Sequence, residues 1–185
     1  MRRTTKGIVA GAAVVALAAC GAATTQQSAA GTRPREFATP IYNASNQQVG
    51  SFTVTQLSPD SVRVVVESTG LPAGTHGTHL HAVGRCEPPA FTTAGPHLNP
   101  ASRQHGLRNP QGPHLGDMPN LVVGANGRGR VEAIVRGSIT PGRAPLFDPD
   151  GTALVVHATA DDQVTDPAGN SGARIACGVL AAPTT

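Results

Sequence analysis

From residue 49 onward, apolar and polar positions alternate with a period near two, and no long stretch carries the 3.6-residue period of an amphipathic helix. Ser61-Val62-Arg63-Val64-Val65-Val66-Glu67 is the plainest case, with Val62, Val64 and Val66 on one face. Six segments of this kind predict strands, at 49–57, 61–69, 78–83, 130–135, 153–158 and 174–180. Ser58-Pro59-Asp60 joins the first two as a hairpin, and Asn126-Gly127 is a turn signal ahead of 130–135. Short strands separated by turns predict an all-β sandwich or barrel. Two long stretches, 84–120 and 159–173, carry no strand pattern. Irregular segments of that length inside a compact domain are as a rule functional or disordered.

Composition sharpens this picture. Gly (22) and Pro (16) are frequent, which suits turns. With no Trp, four Phe and one Tyr, the core must be built from Val, Leu, Ile and Ala. Residues 1–19 read as a signal peptide: a basic start, then the apolar run 7–18, too short to span a membrane. Leu17-Ala18-Ala19-Cys20 resembles the bacterial lipobox, which implies lipidation of Cys20, export, and anchoring to a bacterial membrane on its periplasmic or cell-surface side. Residues 20–36 then form a lipidated N-terminus and a flexible tether, and 37–185 a single domain.

Removing the leader also changes the charge. The net +3 comes from Arg2, Arg3 and Lys6; the remainder balances 11 arginines against 11 acids and has no lysine. No nucleic-acid partner is expected of such a chain. Cys86 and Cys177 remain, and export permits a disulfide between them. That bridge would close roughly 90 residues and add about 4–5 kcal/mol in the chain-entropy model.

Chemistry concentrates in the seven histidines, all beyond residue 75. His79 and His81 flank Leu80 on a predicted strand, so both rings point to one face. His97, His105, His114 and Asp117 follow with seven, eight and two residues between them, three imidazoles and a carboxylate that would close a tetrahedral zinc site. His157 ends the segment 153–158. Imidazole suits copper and zinc.

In order, HGTHLHAVGRC, AGPHLNPASRQHG, GPHLGD, LVVHATADD and GNSGARIACGVL resemble the signature segments of Cu/Zn superoxide dismutase, over about residues 41–181. The resemblance implies an eight-stranded Greek-key barrel, an immunoglobulin-like sandwich with two long functional loops. It implies one copper ion and one zinc ion per subunit and superoxide as substrate. Copper would be held by His79, His81, His97 and His157; zinc by His97, His105, His114 and Asp117, with His97 shared. Asp161 would link a copper ligand to a zinc ligand through their outer nitrogens. Arg174 would receive the anion beside copper, and Cys86–Cys177 would tie its segment to the barrel. His97 would also pass a proton to the product. His76 would hydrogen-bond loops and bind no metal.

Two departures stand out. The segment 161–172 is short and lacks any basic residue, so long-range substrate steering is expected to be weak. The loop from Cys86 to His97 is longer than the eukaryotic pattern, and the oligomeric state is not readable from it. A competing expectation is an exported copper/zinc-sequestering protein on the same scaffold, which would have no need of Arg174.

Overall fold

The computed structural model describes Met1 and residues 35–139, 146 and 148–180. Cys20, the rest of the leader and nearly all of the tether lie outside the described residues. The strands are β1 (Glu36–Asn43), β2 (Gln48–Ser58), β3 (Ser61–Ser68), β4 (Gly74–His76), β5 (Thr78–His81), β6 (Leu121–Val123), β7 (Gly129–Arg136), β8 (Thr152–His157) and β9 (Arg174–Leu180). One 3-10 turn, Thr92–Ala94, interrupts the first long loop. All pairings are antiparallel, in the order β4-β6-β7-β3-β2-β1-β9-β8-β5.

The two outermost strands of that order, β4 and β5, are consecutive in sequence with only Gly77 between them. The segment 74–81 therefore pairs with β6 at its start and β8 at its end, and this closes the sheet into a barrel. Eight strands were expected and nine are found, because Gly77 divides one strand into two. Its N–H donates to the Thr159 carbonyl at 2.8 Å and its own carbonyl accepts from the His157 N–H at 2.9 Å. A Cβ there would stand 2.8 Å from the Ser171 Cβ, so the crossing loop fits only against glycine.

All six predicted strands are present within a residue or two, while β1 and the three-residue β4 and β6 are additional. β3 shows the alternation most cleanly, with Val62, Val64 and Val66 fully buried beside Phe52 and Val54 of β2. β5 and β8 behave differently, since every one of their residues is buried. Leu80, Leu154 and Val156 face the barrel core, whereas Ala153 and Val155 pack outward against Phe91 and Ala94 of the first long loop. The two long loops thus bury the outer face of these strands, and that face carries the histidines. Cys86 and Cys177 form the expected disulfide, joining the loop to β9.

Candidate metal centre

On β5 the pleat sends Leu80 inward and leaves His79 and His81 side by side on the outer face. His97 arrives from the loop through an isolated bridge to His81, and His157 ends β8. One ring nitrogen from each of His79, His81, His97 and His157 lies within 4.8 Å of the others. The outer nitrogen of each ring is already engaged. His79 Nε2 is 2.8 Å from Asp161 Oδ2, His81 Nδ1 2.9 Å from the Gly95 carbonyl, and His157 Nδ1 3.2 Å from the Gly172 carbonyl. His97 Nδ1 is 3.1 Å from Asp117 Oδ1.

The inner nitrogens, His79 Nδ1, His81 Nε2, His97 Nε2 and His157 Nε2, are buried and have no hydrogen-bond partner. Buried polar atoms without partners are costly, and four facing each other call for a cation. Burial holds three of them neutral, with His79 lowered to about 4, His157 to about 3 and His81 to about 2. The Asp161 hydrogen bond opposes the shift at His79 but does not overcome it. A neutral imidazole with a fixed tautomer is the protonation state a metal requires. The residues fit copper.

The second set converges on one carboxylate oxygen. Asp117 Oδ1 lies 2.9 Å from His105 Nδ1, 3.1 Å from His97 Nδ1 and 3.3 Å from His114 Nδ1, and the last two nitrogens are 3.4 Å apart. Bonds of about 2.0–2.1 Å to a tetrahedral zinc imply edges of about 3.3–3.4 Å, close to these separations. His79, His97, His105 and Asp117 also offer atoms within 4.8 Å of one another. His79, however, spends one nitrogen on Asp161 and turns the other to the first set, which leaves His114 as the fourth zinc-side donor. Asp117 Oδ2 accepts the N–H groups of Gly106 and His114 at 2.8 and 2.9 Å. Burial opposes ionisation of Asp117, yet hydrogen bonds from His105 and His97 hold it well below the usual carboxylate range. For the His105 ring, burial also opposes charge, but Asp117 and Asp161 outweigh it and push the ring up to about 9. A cation there would take the place of that proton.

Asp161 joins the two sets, reaching His79 Nε2 with one oxygen and His105 Nε2 at 3.0 and 3.1 Å with both. Arg174 donates to the Phe91 carbonyl at 2.8 Å and the Gly95 carbonyl at 2.7 Å. Gly95 also holds His81, so one carbonyl orients an expected copper ligand and the expected anion receptor. The ring nitrogens of His76 lie 2.8 Å from the His157 carbonyl and 3.0 Å from that of Pro72, tying loops together.

Two contributors were not singled out by the sequence. The Asn120 side chain grips the Asp161 backbone twice at 2.8 Å, accepting its N–H and donating to its carbonyl. Gly169 stands so close that a Cβ would fall 1.7 Å from Asp161 Oδ1. Asn120 lies outside every quoted segment, and Gly169 opens GNSGARIACGVL without any role being implied for it there, so only the folded loop reveals what each touches.

Comparison with known proteins agrees with this geometry. Residues 48–180 match the family model "Copper/zinc superoxide dismutase (SODC)". The chain is 40% identical over 144 residues to "Superoxide dismutase [Cu-Zn] 1" of Aquifex aeolicus (strain VF5), covering 76% of this chain and 84% of the relative. It superposes on the crystal structure of a SOD-like protein from Bacillus subtilis with a TM-score of 0.70 at 35% identity, over 77% of this chain and 97% of the other. On Cu/Zn superoxide dismutase from Brucella abortus the TM-score is 0.60 at 27% identity, over 79% and 99%.

Proposed function

The chain belongs to the copper/zinc superoxide dismutase family and is an oxidoreductase that uses copper and zinc, and from that premise we propose how its residues divide the dismutation of superoxide. The observation that carries the assignment is the set of four buried, unpartnered nitrogens on His79, His81, His97 and His157 beside Arg174. When bound there, copper supplies a one-electron couple that oxidises one superoxide and reduces the next, while zinc has no redox chemistry. His97 presents Nε2 to the copper-side set and Nδ1 to the zinc-side set. It is therefore placed to hold a proton at Nε2 and yield it to the peroxide product, with the second proton taken from water. His105, His114 and Asp117 keep the His97 ring in place during that transfer.

Arg174 draws the anion in and orients it. The three rings His79, His81 and His157 are held by Asp161 and two carbonyls, so they need no reorganisation as charge develops. A purely sequestering protein would explain the donors but not Arg174. The test measures superoxide decay by the metal-loaded chain, by His157→Ala and by Arg174→Ala. Wild type should accelerate decay, His157→Ala should lose copper and activity together, and Arg174→Ala should keep its metals and lose roughly tenfold in rate. Full metal uptake with decay no faster than in His157→Ala would favour sequestration.

For localisation we infer export and a lipid anchor at Cys20, supported by the run Leu17-Ala18-Ala19-Cys20 alone. Cys20→Ser should abolish membrane retention, and unaltered retention would defeat the anchor.

A further inference from the structure

Two cavities reach the zinc-side donors, and their charges differ in sign. One, of about 570 Å³, is lined by His97 and His114 together with Asp148, Asp150, Asp166 and Arg103. The other, of about 530 Å³, brings Arg103 and Arg136 to His114 and Asp117. Among the described residues, leaving the donors aside, the first carries three carboxylates against one guanidinium, and the second carries two guanidiniums and no carboxylate. A third cavity, beside Arg174, has that guanidinium and no carboxylate among the described residues.

Surface acids alone would mean little, but this cavity has a floor of metal donors. The side chains of His105 and Asp117 are fully buried, while His97 and His114 keep 5% and 7% exposure, so they are the zinc-side donors that solvent can touch. His114 Nε2 stands 3.6 Å from Asp166 Oδ1, outside hydrogen-bond reach. Asp166 Oδ1 also accepts the His105 backbone N–H at 2.6 Å, which anchors this carboxylate beside the His114 ring. Among the other lining residues, Asp150 is exposed, and Asp148 Oδ1 is buried without a hydrogen-bond partner. Burial, reinforced by the Asp150 charge, raises the Asp148 carboxyl, and a cation between the two would relieve both effects.

We propose that this cavity is the route by which a divalent cation reaches His97, His105, His114 and Asp117, with Asp148 and Asp150 capturing it and Asp166 passing it to His114. The proposal rests on the zinc reading of those four donors. Its logic is a separation of traffic by sign. The cavity at Arg174 attracts an anion and repels a dication, the cavity at Arg136 repels a dication, and the acidic cavity concentrates one.

The test follows Co2+ uptake by the metal-free full chain in stopped flow, using the visible absorption of tetrahedral Co2+. At an ionic strength of about 0.01 M, where the screening length is about 30 Å, the double variant Asp148→Asn/Asp150→Asn should take up Co2+ about tenfold more slowly than wild type. Asp150→Asn alone, at an exposed position, should slow it about threefold. Near 1 M salt, where the screening length is about 3 Å, the difference should shrink below about twofold. Final stoichiometry and spectrum should match wild type, and Arg136→Gln should leave the rate within about twofold. An unchanged rate in the double variant overturns the proposal, as does a large acceleration in Arg136→Gln without any effect of the acids. Absence of a tetrahedral Co2+ spectrum in wild type would instead overturn the zinc reading beneath it.

Discussion

Three copper-side rings make the metal-free protein sensitive to mild acid in a way that can be worked out in advance. His79, His81 and His157 are lowered from 6.5 to about 4, 2 and 3, chiefly by burial. A histidine whose folded-state pKa is depressed favours folding above its unfolded pKa, and that contribution is lost as pH falls below it. The loss begins near pH 6.5, where the unfolded chain starts to bind protons that the folded chain refuses. It levels off ring by ring near pH 4, 3 and 2. Between pH 6.5 and 5 each ring contributes about 1.4 kcal/mol per pH unit, so three rings remove on the order of 6 kcal/mol. His105, raised to about 9, is protonated in the folded chain throughout that window and adds little slope below pH 6.5. Asp117 and Asp161 stay ionised there, since both are held below the usual range. The assay is urea unfolding of the metal-free full chain at pH 7 and pH 5, followed by circular dichroism. With a slope of about 2 kcal/mol per molar urea, the midpoint should fall by about 3 M, enough to unfold a marginal domain outright. His157→Gln should reduce the pH effect by about a third. Loading with copper should suppress most of it, because a metal-held nitrogen takes no proton. Equal metal-free stability at the two pH values would refute the reasoning.

Asp161→Asn removes the charge that orients His79 and His105, and zinc affinity measured by chelator competition should fall about 10–100-fold. Gly169→Ala, at φ 60° and with its Cβ 1.7 Å from Asp161 Oδ1 and 2.7 Å from His105 Nε2, should reproduce that loss by displacing the contact between those two side chains. Gly70→Ala, whose Cβ would find Val49 at a comfortable 3.7 Å, should leave zinc affinity unchanged in the same assay. Replacing Cys86 and Cys177 by serine should cost about 4–5 kcal/mol in urea unfolding. It should also weaken anion inhibition of the loaded enzyme, since the loop between Cys86 and His97 supplies both carbonyls that hold Arg174.

What the chain determined by itself is local and periodic. The Val62-Val64-Val66 alternation predicts β3, and His79-Leu80-His81 places two rings on one face, because a strand's side-chain period is fixed at two. The spacing of His97, His105, His114 and Asp117 names a zinc-like donor set before any fold is known, and the signature segments supply the barrel. Depth and convergence had to come from the tertiary structure. β5 and β8 are buried on both faces because two loops, themselves without pattern, fold over the outer one. The ninth strand appears since Gly77 lets Thr159 and Ser171 approach a strand that would otherwise run unbroken. Asn120 and Gly169 act through contacts with Asp161 that span 41 and 8 residues, distances over which no periodicity survives. The sign of each cavity depends likewise on charges from separate loops. Periodicity encodes which way a side chain points, whereas packing between distant segments decides what it meets.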